Sequence, residues 1–151
     1  MARRVSLAEI GGRTPAAPVI VVAPLTDPAG YFGDLCEGVT RCNQRYLRER
    51  AAQGEPIPPL YRSGIRYALE KREAFLCIPG VLMRGWGDCD DLACWRAAEL
   101  REGGDLGARV FVRPSRSGVA GRWHAIVQRG DGSFEDPSAR LGMATGRKGG
   151  D

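Results

Sequence analysis

A cysteine, the one histidine of the chain and an aspartate stand in its second half as Cys89, His124 and Asp136, residue types that together can serve as nucleophile, base and orienting carboxylate. A thiol attacks only as the thiolate. A helix start supplies positive partial charge and unpaired N–H groups, and Asp88 followed by a run of helix formers predicts such a start at Cys89. Against this, Asp88, Asp90 and Asp91 crowd the thiol, and unscreened carboxylates raise a thiol pKa. A protonated imidazole would tip the balance, and only His124 can provide it. The other ring nitrogen then needs a partner that fixes tautomer and orientation, for which Asp136 is the candidate.

Two hairpin registers are open for that pair. A three-residue loop Arg129-Gly130-Asp131 sets His124 directly opposite Asp136 on one face. A two-residue Asp131-Gly132 turn pairs Val127 with Asp136 and puts the two side chains on opposite faces.

The elements that must carry these residues follow from periodicity. Residues 1–17 read as an irregular arm and Val19 to Val22 as a buried strand. Leu35, Val39, Cys42, Tyr46 and Leu47 recur at helical spacing and predict an amphipathic helix over about 34–52. The prolines of 54–59 cannot continue it. The alternation over 61–69 fits a half-buried strand or a helix from Ile65. Leu92 to Arg101 is a helix closed by Gly103-Gly104, after which 108–112 and 122–128 are strands and Gly130-Asp131-Gly132 a turn. The tail 144–151 has nothing to bury. Cys36, Cys42, Cys77 and Cys94 read as small hydrophobes, and Trp95 and Trp123 as packing residues.

The 151 residues, 43% hydrophobic and 26% charged, have the composition of one globular domain. The longest apolar run, Ala16 to Leu25, is too short to cross a bilayer, which needs roughly 20 residues, and does not resemble a signal peptide. A cytosolic start and no membrane partner are therefore expected. Five cysteines without a Cys-x-x-Cys pair and a single histidine argue for free thiols and against a Cys/His zinc site. No metal and no cofactor are expected. The net charge of +4 is too small and too evenly spread to predict a nucleic-acid partner.

Gly-Asp-Cys-Asp-Asp-Leu-Ala at 87–93, Trp-His-Ala-Ile-Val at 123–127 and Glu-Asp-Pro-Ser at 135–138 resemble the transglutaminase-like branch of the papain-like cysteine proteases. Pro58 to Gly64 and Ala139 to Met143 look like the compact members encoded by tailed bacteriophages and prophages. The resemblance covers about residues 56–143. It implies an α+β fold with the nucleophile at the N-terminus of a central helix packed on an antiparallel sheet, within one domain over 18–143. It implies a Cys89, His124, Asp136 triad acting on an amide of a peptide or protein substrate, with Trp86 or Tyr61 as further oxyanion or substrate contacts. Phage structural proteins are implied partners, and the host cytoplasm or the virion the location. Hydrolysis and transamidation stay open, and a non-catalytic morphogenesis or tail-associated module on the same fold is the alternative.

Overall fold

The computed structural model describes residues 27–71, 73–115 and 122–143. The arm 1–17, the strand expected at 19–22 and the tail 144–151 lie outside the described residues.

The first helix, α1 (Pro28–Ala52), begins earlier than the periodicity predicts. Asp27 caps it by accepting from the N–H of Gly30 at 3.0 Å, and Pro28 occupies a first-turn position where its missing N–H costs nothing. Gly33, which looks like a boundary, lies inside the helix. The buried stripe also differs from the expected one: Cys36, Thr40 and Asn43 face inward. The polar pair is tolerated because each is bonded. Thr40 donates to the Cys36 carbonyl at 2.8 Å, and Asn43 accepts from the N–H of Ile78 at 2.8 Å. Cys42 is consequently exposed and Cys77 half-buried, so neither is the core hydrophobe expected, whereas Cys36 and Cys94 are fully buried.

After the proline-rich 54–59, a short 3₁₀ turn (Leu60–Arg62) and a two-residue strand, β1 (Arg66–Tyr67), replace the longer element expected over 61–69. The stretch that follows forms α2 (Ile78–Arg84) and β2 (Trp86–Gly87), and β2 pairs parallel with β1. The central helix is α3 (Cys89–Glu102), with Asp88 at its N-cap and Gly103 at its C-cap. Then come β3 (Arg109–Pro114), β4 (Trp123–Gln128), β5 (Phe134–Glu135) and a single turn, α4 (Pro137–Arg140). Strands β3, β4 and β5 form one antiparallel sheet in that order.

Helix α3 is buried along almost its whole first half, because two layers close on it. One side carries Leu92 and Trp95 into a cluster with Leu60, Ile65, Ile78 and Val81. Each such fully buried large side chain contributes about 1.5–3 kcal/mol. The other side presents Ala93 and Ala97 to Ala125 and Val127 of β4, and their small size lets the sheet approach closely. The architecture is α+β, with the cysteine helix packed on an antiparallel sheet. No helix among the described residues is long and apolar enough to cross a membrane.

Candidate active site

The hairpin between β4 and β5 takes neither of the two registers expected. Val127 pairs with Glu135 and Gln128 with Phe134, around a three-residue loop Gly130-Asp131-Gly132. Gly132 N–H donates to the Arg129 carbonyl at 2.9 Å, and Gly132 adopts φ +85°, a conformation glycine supplies without strain. Continuing that register puts Asp136 across from Ile126, two residues along β4 from His124. A slip of two keeps every side chain on its face, so Asp136 still shares a face with His124 and meets it diagonally.

His124 Nε2 lies 2.9 Å from Asp136 Oδ2. With Asp136 ionised, Nε2–H donates and Nδ1 is left as the basic ring nitrogen. Burial works against the Asp136 charge. The His124 hydrogen bond, the Ala139 N–H and the charges of His124 and Arg113 outweigh it and hold the carboxyl below its usual range. The second oxygen of Asp136 caps α4 by accepting from Ala139 N–H at 3.1 Å.

Cys89 opens α3, where the first N–H groups of a helix have no intrahelical partner. Its side chain packs against the cluster formed by Ala93, Ala97, Ala125 and Val127 and meets the backbone of Ala125, the residue after His124. The lowered thiol pKa expected from a helix start is not what the surroundings give. Burial pushes the thiol up to about 12; the Ala125 N–H opposes this, and the carboxylates of Asp90, Asp88 and Glu73 add to it. At neutral pH a thiol so placed is protonated.

Tyr67, which carried no functional signal in the sequence, belongs to the same place. It stands beside Gly87 in the parallel β1–β2 pair, and the N–H of Ala68 donates to the Gly87 carbonyl at 3.0 Å. Burial raises its phenol pKa, followed by the charges of Cys89 and Asp88, with Arg122 opposing and Asp136 adding. The charges of Cys89 and the carboxylates thus reach one tyrosine. Gly87 sits close against α3: a Cβ there would lie 3.1 Å from that of Asp91, so a side chain fits only if Asp91 gives way.

The two expected oxyanion or substrate contacts, Trp86 and Tyr61, have the following partners. Trp86 pairs with Arg66 through the backbone, and its ring carries the Arg84 guanidinium at 4.2 Å. Tyr61 donates its hydroxyl to Glu135 and has Arg140 over its ring at 3.8 Å. Glu135 also binds Arg96 of α3 at 2.7 Å and Arg129 at 2.7 Å. Burial is outweighed by these partners, and the Glu135 carboxyl is held down at about 2. The alternation of the strand explains the division: Glu135 turns toward α3, and Asp136, the next residue, toward His124.

The acidic residues flanking Cys89 divide likewise. Asp91 accepts from the Leu76 N–H at 2.8 Å, yet burial still raises it to about 7. Asp90 is pushed up to about 11 by burial and by Asp88, Asp91 and Glu73. Carboxylate oxygens of Glu73, Asp88 and Asp90 all lie within 4.8 Å of one another. The sequence marks Asp88 and Asp90 as carboxylates crowding the thiol at a helix start, but not Glu73, which the loop before α2 brings in. A search of family models, curated proteins and solved structures finds no match to this chain.

Proposed function

We propose that this protein is a thiol-dependent amide hydrolase or acyltransferase of the transglutaminase-like kind, using Cys89, His124 and Asp136. The observation that carries the reading is the 2.9 Å contact between His124 Nε2 and Asp136 Oδ2, with Cys89 at a helix start against Ala125. The α+β arrangement of a cysteine helix on an antiparallel sheet supports the papain-like reading of the motifs. His124 Nδ1 takes the thiol proton as Cys89 Sγ attacks the substrate carbonyl carbon, and returns it to the leaving amine. The unpaired N–H groups of the first turn of α3 stabilise the oxyanion. Water or a second amine then resolves the thioester. Because the resting thiol is neutral, Asp136 contributes by stabilising the imidazolium as it forms.

The substrate class is a peptide or protein, and phage structural proteins are the partners the motif resemblance favours, in the host cytoplasm or in the virion. The experiment is incubation of a mixed peptide library with the wild type and with Cys89→Ala, read by mass spectrometry. New chain ends or new amide cross-links made by the wild type alone are expected. A library left unchanged by both proteins, or changed equally by both, would overturn the reading. The burial of the Cys89 thiol favours a second reading, a non-catalytic morphogenesis or tail-associated module; virion assembly that proceeds equally with Cys89→Ala and an unchanged library would support it.

A further inference from the structure

We propose that Glu73, Asp88 and Asp90 form a binding site for one hard divalent cation of the calcium class, next to the thiol but made without it. The inference goes beyond the proposed activity and does not rest on it.

Three observations carry it. The first is convergence: the carboxylate oxygens lie within 4.8 Å of one another. Calcium–oxygen distances of about 2.3–2.6 Å mean that two oxygens on opposite sides of one ion are about 4.6–5.2 Å apart, so this spacing admits a common ion without rearrangement. The second is the state of Asp90. It is 1% exposed, and its oxygens face only the neighbouring carboxyls of Asp88 and Glu73, with no N–H or hydroxyl donor from the protein; Oδ1 of Asp88, a residue 5% exposed, has no such donor either. Buried carboxylate oxygens without a donor cost several kcal/mol unless a cation or proton meets them. Asp91, one residue on, shows the contrast, since its Oδ1 is taken by the Leu76 N–H. The third is that among the described residues the salt bridges run elsewhere: Arg84 is spent on Glu70, and Arg96 on Glu99 and Glu135.

The ligand chemistry selects the ion. An oxygen-only set suits calcium or magnesium and disfavours zinc or copper, which seek imidazole and thiolate. Glu73 is exposed while Asp88 and Asp90 are buried, so the site is closed on the protein side and open to water on the other. Calcium takes 6–8 oxygens in irregular geometry and completes its shell with water. Magnesium demands near-ideal octahedral geometry and dehydrates reluctantly, so it should bind these few carboxylates more weakly than calcium.

Calorimetric titration of the chelator-treated full chain with CaCl₂ tests this directly. One ion per chain is expected, with a Kd of about 10⁻⁶–10⁻³ M, and MgCl₂ at least about tenfold weaker. Asp90→Asn should abolish binding. Glu73→Gln, at an exposed position that leaves the fold untouched, should weaken it about tenfold or more, and carries the test if Asp90→Asn does not fold. Cys89→Ala should bind calcium like the wild type, which separates this result from the fate of the thiol chemistry. Absence of calcium binding at about 10 mM would overturn the proposal and leave the carboxyls sharing protons instead. So would a Kd unchanged by both Glu73→Gln and Asp90→Asn.

Discussion

Asp136 reaches His124 diagonally: Oδ2 comes to 2.9 Å from Nε2, although the register that pairs Val127 with Glu135 sets Asp136 across from Ile126. The same carboxylate caps α4 through Ala139. One side chain therefore orients the imidazole with one oxygen and ends the hairpin with the other.

That double duty separates two substitutions. Asp136→Asn keeps a capping oxygen and is expected to leave the melting temperature nearly unchanged while favouring the wrong imidazole tautomer, lowering turnover by about 10²–10³. Asp136→Ala should lose similar activity and in addition about 1 kcal/mol of stability. Steady-state rates and thermal melts on both variants check it; full turnover in Asp136→Asn would sink the assignment.

Glu135 is the hub between α3 and the hairpin, through Arg96, Arg129 and Tyr61. Glu135→Gln is expected to cost about 1–3 kcal/mol in a urea titration at pH 7. The sign with pH follows from a folded carboxyl held at about 2 against an ordinary 4.5. Its stabilisation is complete above about pH 5 and is lost as pH falls toward 2, so the wild type should lose more stability than Glu135→Gln over that window. Parallel pH profiles of the two proteins would contradict the role.

Asn43 accepts the Ile78 N–H from inside α1, and the residue is fully buried. Asn43→Leu should strand that N–H and cost about 1–3 kcal/mol, read as a shift in urea midpoint with an unchanged slope. No shift would mean that α2 is held in place by its apolar contacts alone.

The five thiols should divide by accessibility. Cys42 is exposed, whereas Cys36 and Cys94 are fully buried, with Cys94 Sγ 3.4 Å from the Cys36 carbonyl. Native alkylation at pH 8 followed by peptide mapping should mark Cys42 early, and Cys36 and Cys94 only after denaturation. Labelling of Cys94 in the native protein would contradict the packing of α3 against α1.

The elements that were legible in the sequence are those with strong local signals. The Asp88 cap, the helix formers after Cys89 and the Gly103-Gly104 stop locate α3. The β-branched and aromatic runs around His124 locate β4. The inward face of α1 was not legible, because Thr40 and Asn43 are buried by virtue of bonds that only tertiary structure provides. Strand β1 lies within the strand expected over 61–69 but is only two residues long, and β2 was missed because two residues carry no period. The His124–Asp136 contact was readable as a shared face, while the register itself depends on where Gly132 adopts its positive φ. Tyr67 and Glu73 enter the site from segments whose patterns gave no hint of it.

The central claim is that His124 serves as base to Cys89. The rate of iodoacetamide attack on Cys89 at pH 7, followed by mass spectrometry in the wild type and in His124→Ala with Cys42 as internal reference, tests it most directly. Burial pushes the thiol up to about 12, so under the proposed mechanism the thiolate comes from proton transfer to the imidazole. The account predicts that His124→Ala slows Cys89 labelling by about tenfold or more with Cys42 unchanged. Equal Cys89 rates in the two proteins would contradict it.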